Sequence, residues 1–169
     1  MLDRMIRATL LLPSVYEEVE HDSEATGQAL LVVVIASIAA GIGALGGGLG
    51  GFVWGVIGNI LAWGAFALIC YVVGTTFLAG PRTEATWGQL LRTIGFAASP
   101  ATLLIFGFIP VFGGLITLAV FVWLLIAVVV AIRAALDFDI GSAIATAIIG
   151  WVIWLVVNLI IRAVFGGVF

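Results

Sequence analysis

Charged residues are scarce in this chain of 169 residues: they make up 9% of it, while hydrophobic residues make up 64%. An average soluble domain is about 25% charged and about 45–50% apolar, so this composition excludes a soluble enzyme. Every cation is an arginine and no lysine occurs, so the chain has no polybasic patch for nucleic acid or anionic lipid. The composition predicts a polytopic membrane protein.

Cysteine and histidine occur once each, which excludes most sites that these residues build. Cys70 lies in an apolar run and cannot alone form an intrachain disulfide or a thiolate metal site. His21 and Glu18 have the Glu-x-x-His spacing of di-iron bundles, but such a site needs two of these pairs and two more carboxylates. We expect no catalytic residue, metal or cofactor. The alternative for the acidic stretch around His21 is a weak divalent-cation site.

Three stretches carry no acidic or basic residue: residues 25–81, 93–132 and 140–161. A membrane-spanning helix needs about 20 apolar residues, so the first two stretches each hold two spans and the third holds one. Breaks fall at the glycine-rich residues 41–51 and at residues 110–114, which contain a proline and two glycines. The sequence therefore predicts an all-α fold with five transmembrane helices, over residues 28–45, 52–78, 93–109, 115–132 and 142–161.

The glycines between the first two spans have two interpretations. Gly43, Gly47, Gly51 and Gly55 recur every four residues, a spacing that lets two helix backbones approach closely. Other glycines interrupt the same region, and each costs a helix about 1 kcal/mol relative to alanine, which favours a turn. We expect the turn, and keep Gly47, Gly51 and Gly55 as candidate contacts for helix packing or oligomer formation.

The arginines beside the spans predict the orientation. With a cytoplasmic N-terminus, only Arg162 lies on the outer side. The positive-inside rule therefore favours a cell-membrane protein with its N-terminus inside and its C-terminus outside. The arginines of the inner side are Arg4, Arg7, Arg82, Arg92 and Arg133.

Residues 1–26 form an N-terminal cytoplasmic or interfacial segment, and residues 27–169 form the transmembrane domain. The spacing of apolar residues predicts a short amphipathic helix over residues 2–12. After Pro13, Ser14 and Glu17 form an S-x-x-E capping box that should start a second helix. The segment either anchors the first span or docks a cytosolic partner. Its candidate partner-facing residues are acidic: Glu17, Glu18, Glu20, Asp22 and Glu24.

Polar residues inside the predicted spans are neutral. Neutral polar side chains such as that of Asn59 can form hydrogen bonds between helices. No span carries a charged residue at its centre, which argues against an ion-coupled transporter. Pro100 should kink the third span and free a backbone carbonyl that Ser99 can satisfy. This kink has two interpretations: it lets the span pack against its neighbours, or it opens a cavity for a substrate. Asp139 fits the N-cap of the last span, with a metal or partner contact as the alternative.

Several short motifs accompany the five spans. They are Pro-Ser-Val-Tyr-Glu at 13–17, the stretch from Trp-Gly-Gln to Ser-Pro at 87–100, Pro-Val-Phe-Gly-Gly at 110–114 and Gly-Ser-Ala at 141–143. This layout resembles the prokaryotic branch of the Yip family, the Ypt/Rab-interacting membrane proteins. The resemblance implies a role in membrane organisation, since eukaryotic members bind Rab-type GTPases and shape or sort membranes. The eukaryotic Asp-Leu-Tyr-Gly-Pro signature is absent here, which argues against GTPase binding.

We therefore expect a membrane organiser, or an assembly or trafficking partner, that works by association and is not an enzyme. Its partners are the lipid bilayer and a second copy of itself or another membrane protein. The alternative is a small transporter or channel subunit whose path is lined by spans two and three, near Asn59 and Pro100. An intramembrane enzyme would need a polar cluster that the sequence lacks.

The predicted topology can be tested with reporter fusions. A reporter after Phe169 should be active outside the cell, and reporters after Glu84 or Asp137 should be active inside. An inside signal at Phe169 would contradict five spans, because an odd number of spans places the two ends on opposite sides.

Overall fold

The computed structural model describes residues 1–44, 48–80, 83 and 85–165, except for the side chains at 44, 48–51, 162, 164 and 165. Within these ranges the regular elements are all helical. They are α1 Leu2–Thr9, α2 Pro13–His21, α3 Ala25–Ala44, α4 Gly48–Thr76, α5 Trp87–Ala97, a 3-10 helix Ser99–Phe108, α6 Phe112–Ala135 and α7 Ile140–Phe165.

Five helical segments are long and apolar enough to cross a membrane, which confirms the predicted polytopic all-α fold. Their bounds are Ala25–Gly43, Phe52–Thr76, Trp87–Phe108, Phe112–Ala135 and Ile140–Ile161. The third span begins at Trp87, before its predicted start at residue 93, because Thr86 and Gln89 form a capping box that starts the helix there. The Thr86 hydroxyl accepts from the Gln89 backbone N–H at 3.3 Å, and the Gln89 side chain accepts from the Thr86 N–H at 2.6 Å.

The capping box predicted at Ser14 is wrong, although the helix it was meant to start is present. Helix α2 begins at Pro13, and Leu12 is its N-cap, with no capping hydrogen bond from a side chain. Proline suits the first helical position because its φ is already helical and its missing N–H would have no partner there. Ser14 therefore falls inside the first turn, where it cannot cap.

The five spans pack as a ring. Helix α3 contacts α4, α4 contacts α7, α7 contacts α6, and the third span closes the ring between α6 and α3. The two halves of the third span differ, since α5 packs on α3, α4 and α6, whereas the 3-10 helix packs mainly on α3 and α6. The half of the bundle that contains α5 is therefore filled, and the other half leaves room between the spans.

Helices α1 and α2 form a hairpin against the α5 half of this ring. Val15, Tyr16 and Val19 of α2 are fully buried in the main hydrophobic core. Helix α1 packs beside the junction of α5 and the 3-10 helix, and the indole N–H of Trp123 donates to the carbonyl of Thr9 at 2.8 Å.

This contact shows how deep the hairpin reaches. Trp123 lies twelve residues before the end of α6 at Ala135, which corresponds to about 18 Å along the helix. An interfacial helix would contact only the ends of the spans. The C-terminal end of α1 thus reaches the middle of α6, while the interfacial location of residues 2–12 stays a prediction.

A close approach between the first and third spans depends on Gly95. A Cβ atom built there would lie 2.7 Å from the Ala29 Cβ and 3.2 Å from the indole nitrogen of Trp63. The Ala29 methyl group is attached directly to the α3 backbone, and the Trp63 ring is held by its hydrogen bond to Leu91, so neither can move aside without cost. By contrast, a Cβ at Gly58 would meet open space.

Gly95→Ala should therefore destabilise the bundle by about 1–3 kcal/mol through overpacking. Gly58→Ala is the matched control, because alanine in an uncrowded helix position favours the helix by about 1 kcal/mol. The measurement is the thermal midpoint of each purified variant in mild detergent. Equal midpoints for the two variants would contradict the close α3–α5 contact.

Candidate functional site

The first feature of the site is the end of helix α1, which lies at mid-span depth. The last four carbonyls of a helix lack intrahelical partners, and in a bilayer such groups must be satisfied within the protein. Here a left-handed residue, Leu11 with φ 58°, folds the chain back so that backbone amides reach them. The backbone N–H groups of Leu10, Leu11 and Leu12 donate to the carbonyls of Ile6, Ala8 and Arg7, respectively. The Tyr16 hydroxyl also donates to the Ala8 carbonyl, and the Trp123 indole N–H donates to the Thr9 carbonyl.

Ion pairs hold the two helices of the hairpin together. The Glu18 carboxylate accepts from Arg4 at 2.8 Å and from Arg7 at 2.5 Å, and Arg4 also contacts Asp22 at 2.9 Å. The hydrogen bonds from Arg7 and Arg4 lower the pKa of Glu18, and the one from Arg4 lowers the pKa of Asp22. The hairpin is thus joined by charge at its base and by apolar packing at its tip.

Arg92 attaches the hairpin to the third span. Its guanidinium donates to the backbone carbonyls of Val19, at 2.8 Å, and of Glu20, both in the last turn of α2. A cation at a helix C-terminus satisfies free carbonyls and interacts favourably with the helix dipole. The Glu20 side chain is buried and accepts from Gln89 at 2.9 Å. Burial raises the pKa of Glu20.

The structure divides the candidate partner-facing acids. Glu17 and Glu24 are exposed, Glu18 and Asp22 are engaged by arginine, and Glu20 is buried. His21 lies 2.9 Å from the Glu17 carbonyl, and this hydrogen bond raises its pKa. Among the described residues, no group of three or more His, Cys, Asp and Glu side chains is placed to hold a metal ion.

The second feature of the site is a cavity of about 550 Å³ between the spans, on the 3-10 side of the bundle. All five spans line it. Alanines form much of the wall on α3, α4 and the third span, namely Ala36, Ala40, Ala62, Ala97, Ala98 and Ala101. Aromatic rings lie mainly on α4 and α7, namely Trp63, Phe66, Phe121, Trp151 and Trp154. Small side chains facing rings explain why the space stays open.

Polar groups in the cavity are few and uncharged. The Ser37 hydroxyl donates to the Val33 carbonyl at 2.7 Å, which leaves its oxygen able to accept. Asn59 is exposed, and its amide makes no hydrogen bond with any residue in the described ranges. The indole N–H of Trp63 is already committed to the Leu91 carbonyl at 3.0 Å. Asn59 is therefore the main free polar group at the cavity.

Pro100 lies beside this cavity, in the first turn of the 3-10 helix. Proline has no N–H, so the Phe96 carbonyl loses its usual α-helical donor. The Ser99 hydroxyl donates to that carbonyl at 2.7 Å, and the Thr102 hydroxyl donates to the Ser99 carbonyl at 2.8 Å. After Pro100 the span continues as a 3-10 helix. This helix packs mainly on α3 and α6 and lies away from α4, so it borders the cavity.

The candidate packing glycines lie in different places. Gly47 is outside the described residues, Gly51 lies on α4, and a Cβ at Gly55 would meet nothing within 4 Å. Gly43 belongs to α3, and a Cβ there would collide with the backbone carbonyl of Leu104. One member of the ladder thus permits contact between α3 and the 3-10 helix, while Gly55 presents an open surface.

Asp139 caps α7, as its position in the sequence predicted. Its carboxylate accepts from the backbone N–H groups of Gly141 at 2.8 Å and Ser142 at 3.1 Å. The Ser142 hydroxyl also donates to this carboxylate, at 2.7 Å. The hydrogen bond from the Ser142 hydroxyl, together with the two from the backbone, lowers the pKa of Asp139.

Sequence reasoning gave a cavity near Asn59 and Pro100 only as an alternative, and it did not find the aromatic lining or the contact between Trp123 and Thr9. A usable signal was present, since aromatic residues recur at helical spacing as Trp63 with Phe66 and Trp151 with Trp154. Such spacing places two rings on one helix face. It cannot tell which face meets a neighbouring span, so the cavity depended on the tertiary arrangement.

Comparisons with known proteins add no relative: no family model, curated protein or solved structure matches this chain.

Glu20 gives a pH-dependent prediction. Its folded pKa lies above the ordinary value of 4.5, so its ionisation opposes folding at neutral pH, and this penalty is absent below about pH 4.5. Glu20→Gln should raise the thermal midpoint at pH 7 and lose this advantage at pH 4, since the amide oxygen can still accept from Gln89. The charged groups that act on Glu20 are His21, Asp137, Arg92 and Glu17.

Glu17→Gln is the control for this experiment, because Glu17 is exposed on the same helix. It should leave the midpoint unchanged at both pH values. A lower midpoint for Glu20→Gln than for the parent at pH 7 would show that the carboxylate charge stabilises the hairpin.

Proposed function

We propose that this protein is a membrane organiser that works as a wedge-shaped inclusion in the bilayer and by association with other membrane proteins. This agrees with the role that its resemblance to the Yip family implies. One observation carries the proposal: the hairpin of α1 and α2 packs on α5, on α6 and on the start of the 3-10 helix, so it adds width on one side and toward one end of the bundle. In the described ranges, the five spans alone continue to the opposite end.

The outer surface of the hairpin suits contact with lipid chains. Leu2 and Ile6 on α1 and Leu10 at its C-cap recur every four residues, and each is exposed by 61–69%. The charged side of α1 is turned to α2 through Arg4 and Arg7. An apolar stripe of this kind inserts among lipids, and its binding is sensitive to curvature. The hairpin would then occupy area in one leaflet only.

The orientation proposed from the arginine distribution places the hairpin in the cytoplasmic leaflet of the cell membrane, with the C-terminus outside. The same end of the bundle holds Arg92 and Arg133, which lie at the ends of spans. A cytoplasmic wedge favours membrane that is convex toward the cytoplasm. No GTPase is needed for this effect.

The wedge can be tested by curvature sorting in giant vesicles from which narrow tubes are pulled. The full chain is labelled at its C-terminus, and a membrane-impermeant quencher separates the two orientations. Molecules with the hairpin in the convex leaflet should be enriched on the tubes, and those in the reverse orientation should be depleted. Deletion of residues 1–12 should remove the difference.

The reverse orientation is an internal control that needs no variant. The deletion variant is compared only if it elutes as a single species with five intact spans. Equal partitioning of both orientations of the full chain would overturn the wedge, whatever the deletion does.

Association is the second part of the proposal, and it is supported by the open surface at Gly55. A glycine with free space on a span allows another helix to approach closely. Gly55→Leu should therefore lower the mass of the purified complex, measured by light scattering in mild detergent. Gly114→Leu is the control, since that glycine on α6 lies outside the four-residue ladder that contains Gly55. A monomeric parent protein would contradict self-association.

The transporter alternative is favoured by the cavity and the change of helix type at Pro100. Broken helices beside a mid-membrane cavity are typical of transporter sites. The lining of this cavity contains no charged residue, and its walls are mostly alanine and aromatic rings. Flux of a polar solute in proteoliposomes that is lost in Asn59→Leu would favour the transporter over the organiser.

A further inference from the structure

The cavity between the spans has the size and location of a ligand site. Its volume of about 550 Å³ falls within the range of about 300–1,000 Å³ that is usual for small-molecule pockets. It is bordered by all five spans, at a depth where the surrounding solvent is lipid. Whatever fills it must therefore come from, or pass through, the hydrocarbon region.

The lining selects an apolar body. Alanine, leucine and aromatic side chains make up most of the wall, with neutral Ser37 and Asn59 among them. A charged headgroup would lose its hydration without gaining a counter-ion in this setting. Water and polar solutes would leave most of their hydrogen bonds unmade. A hydrocarbon chain has no polar group to desolvate when it enters.

One wall is held in shape without a ligand. The rings of Phe66 on α4 and Trp151 on α7 stack with centroids 6.3 Å apart and planes 18° apart. Beside them Gly150 allows close approach, since a Cβ there would lie 3.0 Å from the Cys70 sulfur. The α4–α7 contact is thus fixed by packing, so the cavity is preformed.

One polar group gives the site a preferred end. Asn59 lies seven residues inside the span that begins at Phe52, about 10 Å from its end. Its amide offers two donors and one acceptor, and no described side chain or backbone group takes them. An amide exposed to lipid at this depth is costly, so a ligand that carries a neutral acceptor would satisfy it.

We infer that this cavity binds the acyl chain of a lipid ester, with the chain against the alanine and tryptophan walls and the ester carbonyl accepting from the Asn59 amide. The inference does not depend on the wedge, because no residue of the hairpin lines the cavity. A neutral glycerolipid and a membrane phospholipid both carry this chemistry. The experiment separates them.

The test is photo-crosslinking in phosphatidylcholine vesicles that contain the full chain. Two probes are used separately: a monoacylglycerol and a phosphatidylcholine, each with the same diazirine-bearing acyl chain. Labelled peptides are mapped by mass spectrometry. We expect labelling of cavity residues on α4 and α7 by at least one probe. Stronger labelling by the monoacylglycerol identifies a neutral lipid, and stronger labelling by the phosphatidylcholine identifies a phospholipid. Equal labelling shows that the site recognises the acyl ester whatever headgroup it carries.

Two variants with matched controls locate the site. Ala62→Leu fills part of the cavity and should lower labelling there about tenfold, whereas Ala119→Leu on the exposed surface of α6 should not. Asn59→Leu removes the polar anchor and should lower labelling about threefold to tenfold. Its control is Asn158→Leu, since Asn158 donates within its own helix to Trp154 at 2.9 Å.

The thermal midpoint of each variant shows whether it is folded, and Asn59→Leu remains informative if Ala62→Leu is not. Labelling confined to lipid-facing residues would overturn the inference. So would cavity labelling that neither Ala62→Leu nor Asn59→Leu reduces.

Discussion

Every backbone N–H and C=O group in the hydrocarbon region must find a partner inside the protein, and the rest of this structure depends on that constraint. Regular helices meet it along the spans. Where the chain departs from an α-helix, a specific side chain or a tight turn supplies the missing partner. Ser99 serves the carbonyl left free before Pro100, and Trp123 serves the carbonyl of Thr9 at the end of α1.

The same constraint explains how charged residues coexist with a mostly apolar chain. Arg4 and Arg7 pair with the carboxylates of Glu18, Asp22 and Asp3 at the base of the hairpin, and Arg92 binds the carbonyl end of α2. With these groups paired, the apolar tip of the hairpin can pack deep against α6. The ion pairs occupy the side of α1 that faces α2, so the apolar side of α1 is left facing outward.

Function in this protein is proposed to come from shape and from apolar surfaces. The hairpin widens one side of the bundle, and the change to a 3-10 helix leaves a cavity between the spans. These two features use different residues. A wedge acts on the leaflet around the protein, while a lipid-binding cavity acts on single molecules drawn from it.

The sequence by itself determined the fold class, the five spans and the cap at Asp139, because each depends on local composition and spacing. It predicted two N-terminal helices, but α1 ends at Thr9 and not at residue 12, and α2 begins at Pro13 without a cap from Ser14. Only the tertiary structure decided that Glu20 is buried while Glu17 is exposed, and that Asn59 faces a cavity. Almost every face of these helices is apolar, so hydrophobic periodicity cannot show which face meets another helix, and packing alone makes that choice.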